Sequence, residues 1–406
     1  MNHIIRNITQ LVTCSGFAAK HGKEMSDLGI IENATVVITK GIIAYVGSDT
    51  CHLPLDSNEN YETIDAAGKA VLPGFIDSHT HFIFGGYREE EFSWRMRGDS
   101  YMSIMERGGG IYNTVKATQK ASFEELYTIA KKRLDKMSAM GVTTVEGKSG
   151  YGLDKETELK QLRVMKQLQL NHGMNIVPTY LGAHAVPNGY TEQSYIDFMI
   201  REMLPIIREE NLAECCDIFC EKGVFGAEES ERFLLKAKEM GFGLKLHADE
   251  IIDTGGAELA AAVGALSADH LLHASDTGIK ALARSNTVAT LLPCTAFSLK
   301  EDYARGRAMI DAGCAVALAT DFNPGSCFSY SIPLTIALAC IYMKLSPEEA
   351  VTALTINAAA ALGEAGSIGS IDVGKKGDII ILEYPSYRFL SYHVGINCVE
   401  RVIKSD

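Results

Sequence analysis

The chain has 406 residues, 47% of them apolar and 22% charged, with a formal net charge of −13 and a pI near 5.4. Those values exclude wholesale disorder, and without a dense run of Lys and Arg they exclude nucleic acid and anionic membrane surfaces as partners. The length suits a (β/α)-barrel of about 250 residues with a smaller module attached.

The opening MNHIIRNITQLVTCSG lacks the apolar core of a signal peptide, and no apolar run reaches the roughly 18 residues of a membrane span. Ten Cys are scattered without a CxxC pair. A reducing cytoplasm is the expected compartment, with most thiols packed in the interior.

Short β-type runs come first. Residues 4–5, 34–39 and 42–46 are rich in Val, Ile and Thr, with turns at Lys40 and Gly41 and at Gly47 and Ser48. From about residue 71 the pattern changes. Apolar runs at 71–81, 142–150, 175–184, 216–221, 242–250, 265–271, 287–293 and 316–321 read as buried strands. Between them lie helix-type segments such as 123–140, 157–171, 194–210, 227–240 and 305–312. Eight strands in that alternation predict a closed parallel barrel. After about residue 366 β-type runs return at 367–371, 378–382 and 399–403. The expected fold is a distorted (β/α)8 TIM-like barrel over 71–365, flanked by a small β-sandwich domain built from 1–70 and 366–406.

Catalytic groups of such a barrel sit at the C-terminal ends of its strands. Of eleven His, five fall there: His79 and His81, His184, His247 and His270, with Asp321 after the last strand. In His79-Thr80-His81 the strand period of two points both rings to one side. Imidazole nitrogen and carboxylate oxygen suit zinc, iron or a similar ion. His79, His81, His247 and Asp321 are the candidate ligands. One position stays open for water, whose pKa such a site lowers to about 7. His-x-His alone is as often a surface strand as a ligand pair. Here it follows an apolar strand, and His247 and Asp321 end two others. Glu250 is either a general acid/base or an exposed Glu at a helix start. His270 is either a core His with one hydrogen bond or a group that polarises a carbonyl. Asp269 beside it is an orienting carboxylate or a cap.

Several segments carry a family resemblance: HTHFIFGGYREEEF (79–92), RGGGI (107–111), GKSGYGL (147–153), TYLGAHAVP (179–187), HADE (247–250), SADHL (267–271) and ATDFNPGS (319–326). With these the chain resembles the amidohydrolase superfamily and, within it, the imidazolonepropionase family, over essentially its whole length. The resemblance implies hydrolysis of 4-imidazolone-5-propanoate to N-formimidoyl-L-glutamate in histidine degradation. It implies one Zn2+ or Fe3+ per chain on His79, His81, His247 and Asp321. It implies substrate contacts from Arg88, Tyr151, His184, Glu250, Asn323, Gly325 and Ser326, with Asp321, Glu250 and His270 as catalytic groups and rival bases. Arg88 offers the substrate's propionate a planar, two-pronged partner. Lys148, a position of interest because some superfamily members carbamylate a Lys between two metals, is not a ligand in this family's pattern. Related enzymes are commonly dimers, so a homodimer is expected.

Plainer readings exist for single residues. Arg88 can be a surface ion-pair partner of the acidic residues 89–91, Tyr151 a loop packing residue, and Asn323-Pro324-Gly325 only a turn. The Gly-rich stretch 108–110 is a candidate gate. Two other functions compete. A deaminase of amino-heterocycles would share His-x-His, the His247/Glu250 pair and Asp321, but not Arg88 with GKSGYGL and LGAHAVP. A non-catalytic scaffold barrel would have lost its ligands.

Overall fold

A computed structural model of the chain describes residues 2–51, 53–99, 107 and 109–405; Gly108 of the candidate gate lies outside them. The N-terminal part forms strands β1 (His3–Val12), β2 (Ile30–Thr39), β3 (Ile42–Gly47), β4 (Glu62–Asp65) and β5 (Ala70–Pro73). β1 and β2 pair antiparallel with a register shift between Ile5 and Ile8. That bulge, with Asn7 at φ 56°, lets two residues of odd spacing enter one apolar cluster.

Eight strands then follow in chain order in one parallel sheet. They are β6 (Phe75–Asp77), β7 (Val142–Lys148), β8 (Asn175–Ala183), β9 (Cys215–Cys220), β10 (Gly243–Ala248), β11 (Ser267–His270), β12 (Val288–Leu291) and β13 (Val316–Leu318). Helices between successive strands cover the outside, which is why the strands read as apolar runs. The helices close on local signals: Ser122, for example, caps Phe123–Ser138 in a reciprocal box with Glu125.

The seam between β13 and β6 closes beyond the strand ends. Thr80 bridges Phe322 in parallel. The His81 N–H donates to Phe322 O at 2.9 Å, and the Asp321 N–H to His79 O at 3.0 Å. Just below, Asp77 accepts from the Thr320 N–H at 2.9 Å and its hydroxyl at 2.6 Å.

Finally β14 (Ile379–Leu382) and β15 (Val399–Ile403) return to the first sheet, giving the order β15-β14-β5-β1-β2-β3 with β4 beside β1. Both ends of the chain thus share one seven-stranded sheet. Its apolar cluster, including Ile5, Val36, Val71 and Ile379, is separate from that of the barrel and helices.

Three details differ from the sequence reading. The run 71–81 divides between the two sheets at Gly74, where a Cβ would stand 2.2 Å from Thr143 Oγ1. The helical run 194–210 contains a π-turn at Met199–Met203, just before Pro205, which has no N–H to give. Residues 367–371 are turns rather than a strand. They wrap the buried Lys375, whose Nζ donates to the carbonyls of Gly16 (2.6 Å), Ala365 (2.6 Å) and Ile368 (3.3 Å). The ten Cys are all free, and most are buried.

The seam generates a stability prediction. Asp77→Ala leaves the buried Thr320 N–H without an acceptor and costs about 1–3 kcal/mol in urea unfolding. Asp77→Asn keeps one acceptor and loses less. A wild-type midpoint for Asp77→Ala would show that closure does not depend on this carboxyl.

Candidate active site

The seam brings the candidate ligands together. His79 Nε2 and His81 Nε2 each lie 3.5 Å from Asp321 Oδ1. The ring of His247, near the end of β10, is 4.6 Å from that of His79 and 5.6 Å from that of His81. Donor atoms of His79, His81 and Asp321 lie within 4.8 Å of one another, and so do those of His79, His247 and His270. His79 Nε2 and His247 Nε2 are buried with no hydrogen-bond partner among the described residues. Such orphaned nitrogens are costly unless something binds them. Facing a carboxylate, they fit a cation that takes N and O donors. Burial holds all three imidazoles well below their ordinary pKa, so they stand as neutral donors.

Asp321 has φ 54° and His270 φ 75°, left-handed conformations that a non-Gly residue holds only under constraint. Burial pushes the Asp321 carboxyl up to about 7, against a hydrogen bond from Thr295. Thr295 Oγ1 donates to Asp321 Oδ2 at 2.7 Å. The sequence reading did not single out Thr295.

A layer of buried charge lies beneath. His79 Nδ1 is 2.6 Å from Asp269 Oδ2, which makes Asp269 an orienting carboxylate and not a cap. His247 Nδ1 is 2.9 Å from Asp217 Oδ2, although the two are not aligned as a hydrogen bond. Lys148 Nζ donates to Asp217 Oδ2 at 2.6 Å and to Glu146 Oε1 at 2.9 Å, and lies 3.5 Å from Asp269 Oδ2. Lys245 Nζ is 3.3 Å from Glu146 Oε2 and donates to Ser78 O and Ala361 O. Burial pulls the Lys148 pKa down, but Asp217, Glu146 and Asp269 outweigh it and hold the amine above its ordinary value. Lys148 is therefore an ammonium with its donors engaged, unlike the neutral amine that carbamylation requires.

Glu146, Asp217 and Lys245 escaped the sequence reading. Their signal was there: Glu146 and Lys148, and Lys245 and His247, sit two apart in otherwise apolar strands, so each pair faces one side.

The predicted substrate contacts gather around this centre. His184 stacks on His81 with ring centroids 5.1 Å apart, and its Nδ1–H donates to Gly150 O at 3.1 Å. The buried Tyr151 ring is 5.2 Å from His184 and 5.8 Å from His81. Its loop is pinned by Glu158, which accepts the N–H groups of Gly150, Gly152 and Leu153, and by Gln161, which accepts that of Tyr151.

Glu250 is not at a helix start, since the next helix is Gly256–Val263. Its side chain is 16% exposed, with Oε1 3.5 Å from His270 Nδ1. Burial first, then Asp321 and Glu221, push its carboxyl up to about 8. Burial brings His270 down to about 4.

For Arg88 and Asn323 the structure shows the ion pair and the turn of the plainer readings. Arg88 Nε donates to Glu91 Oε2 at 2.8 Å, while its guanidinium lies so close to Gly325 that a Cβ there would be 2.3 Å from Nη1. Asn323 closes the turn 323–326: Oδ1 accepts the N–H groups of Gly325 and Ser326, both at 2.8 Å. Its Nδ2 donates to Asp321 O at 2.7 Å and to Ser326 Oγ at 2.9 Å, tying the turn to the candidate ligand.

The charge layer yields a prediction. Lys148→Met strands buried carboxylates and costs about 3–5 kcal/mol in chemical denaturation. A loss under about 1 kcal/mol, the range of an exposed pair, would show that the carboxylates do not need this ammonium.

Comparison with known proteins gives matches along the chain. Models described as amidohydrolase family match residues 224–405 and 62–110. The imidazolonepropionase of Parabacteroides distasonis is 64% identical over 403 residues, covering 99% of this chain and 97% of that protein. The imidazolonepropionase of Clostridium tetani is 62% identical over 405 residues, with coverage of 99% and 97%. Among solved structures, an adenosine deaminase from Xanthomonas campestris with bound zinc superposes with a TM-score of 0.73 at 18% identity, covering 99% of this chain and 91% of that one. That likeness is one of fold.

Proposed function

This chain belongs to the imidazolonepropionase family of amidohydrolases, and from that premise we propose that it opens the cyclic amide of 4-imidazolone-5-propanoate at a single-metal centre. The product is N-formimidoyl-L-glutamate, in histidine degradation. The observation that carries the reading is the convergence of His79, His81, His247 and Asp321, with orphaned imidazole nitrogens, in a chain of that family.

One Zn2+ or Fe3+ held by these four residues would polarise the ring carbonyl and acidify a water toward a pKa of about 7. The Asp321 carboxylate, steadied by Thr295, takes the proton of the attacking water. His270 is neutral at pH 7. With Nδ1 turned to Glu250, it has Nε2 to donate to the oxyanion that develops. Glu250, protonated up to about pH 8, gives its proton to the leaving ring nitrogen as the C–N bond breaks. Arg88, with Nε fixed by Glu91, presents its remaining donors to the propionate carboxylate. Tyr151, His184 and the turn 323–326 frame the rest of the substrate.

In this reading the catalytic barrel runs from the break at Gly74 to about residue 365, and the composite β domain takes the chain up to Pro73 together with 366–406. The enzyme works as a cytoplasmic homodimer on a free small molecule. A net charge of −13 supports neither nucleic acid nor an anionic membrane as a partner.

Metal-replete enzyme given fresh imidazolone propionate is expected to bleach its ultraviolet absorbance and to release a product with the mass of formimino-glutamate. No turnover from protein holding one metal per chain would reject the substrate and turn attention to amino-heterocycles and ammonia release. Arg88→Ala is expected to raise KM about tenfold or more with kcat little changed, whereas Asp321→Ala abolishes turnover. Unchanged KM in Arg88→Ala would remove the carboxylate assignment. Because the protonated form of Glu250 is the active one, kcat/KM should fall as pH rises through about 8. Glu250→Gln should be slower and lack that alkaline limb; a limb that persists in it belongs to another group.

A further inference from the structure

Asp269 and Asp217 are wholly buried and stand directly behind two of the candidate ligands, on the Nδ1 side of His79 and His247. We infer that they are positioning residues: anchored by Lys148, they hold the Nδ1 side of His79 and His247 and so commit each Nε2 to the metal. The inference rests on the metal reading above.

A carboxylate only accepts hydrogen bonds, so a ring facing one through Nδ1 carries its proton there and keeps its lone pair on Nε2. His79 makes that bond at 2.6 Å to Asp269. In His247 the same atom stands 2.9 Å from Asp217. Among the described residues, the Nε2 atoms of both rings have no hydrogen-bond partner, and His247 Nδ1 faces Asp217 at short range without the alignment of a hydrogen bond.

Neither carboxylate is free to swing away. Asp217 Oδ2 takes the Lys148 ammonium at 2.6 Å, and its Oδ1 takes the Ile218 N–H at 2.7 Å. Asp269 Oδ2 is 3.5 Å from Lys148 Nζ and 3.9 Å from Lys245 Nζ. Lys245 is itself fixed by two carbonyls, Ser78 O and Ala361 O. Three carboxylates and two ammoniums, all of zero side-chain exposure, leave one formal negative charge under a ring of neutral imidazoles. That sign favours a bound cation over an empty centre. A network that served only to hold the strands together would need neither a carboxylate placed at Nδ1 of each ring nor this net charge.

The test uses the full-length chain loaded with Zn2+ and, in parallel, with Co2+. Wild type should hold one ion per chain, with affinity measured by competition against a chelator. Asp269→Asn and Asp217→Asn should each bind 10–100-fold more weakly, in the range seen for partners of metal-bound His, and the visible bands of the Co2+ forms should shift. Folded variants with wild-type affinity and wild-type Co2+ spectrum overturn the inference while leaving the metal centre intact. A wild type that takes up no stoichiometric metal overturns the metal reading itself, a distinct result. Should neither variant fold, Zn2+-loaded wild type with 15N-labelled His decides the matter. Nδ1–H tautomers for His79 and His247 support the inference, and an Nε2–H tautomer for either overturns it.

Discussion

A parallel barrel is complete only when its first and last strands meet, and in this chain they meet at the functional residues. The two hydrogen bonds that carry the seam past the strand ends run from the backbone of His81 to Phe322 and from the backbone of Asp321 to His79. Closing the barrel and placing three candidate ligands are therefore one geometric event. If the seam opened, the 3.5 Å approach of both imidazoles to Asp321 would be lost with it. The left-handed backbone of Asp321 follows from the same constraint, because the residue must turn its carboxylate inward while its N–H reaches across the seam.

Everything else is layered around that seam. Below it lies the charge cluster of Glu146, Lys148, Asp217, Lys245 and Asp269. Burying those groups is expensive, and mutual pairing offsets the cost only while every member is present. Above it lie the stacked His81 and His184, Tyr151 and the turn 323–326, the surroundings of the ligand in the proposed reading. The middle layer, left to itself, holds buried nitrogens with no partner. The fold thus keeps a local deficit that a bound cation would remove, and metal binding would add to folding stability by mass action.

Much of the fold was legible because eight apolar runs separated by helix-type segments have few other solutions. The division at Gly74 was not legible. An apolar run shows that residues are buried but not which of two sheets buries them, and only the closeness of Thr143 marks the break. The run 367–371 misled for a related reason: its backbone groups bond locally and across the chain, to Glu364, Lys376, Thr13 and the Lys375 ammonium, and form no strand ladder. Within the site, the position of His at strand ends could be read directly. The charged residues beneath left only the two-residue spacings of Glu146 with Lys148 and Lys245 with His247; the partner that Lys148 meets was not readable, because Asp217 lies 69 residues away in sequence. Asp269 was open between two roles until its distance to His79 decided it.

Charge at the mouth is the remaining difficulty for the proposed substrate, an anion approaching a protein of net charge −13. Long-range attraction cannot supply the capture, since exposed charges more than about 8 Å apart are largely screened at physiological salt. Fixed local cations must do it. Arg88 and Arg95 both reach Gly325, the first by packing on it and the second by donating to its carbonyl at 3.0 Å. Glu91 joins them as the acid that pairs with Arg88. Arg95 Nη1 is buried with no hydrogen-bond partner among the described residues. Gly325 itself must be small, because any side chain there would push the Arg88 guanidinium out of place. The glycine and the guanidinium thus define one another, and in the proposed reading that mutual fit sets where the substrate's carboxylate comes to rest.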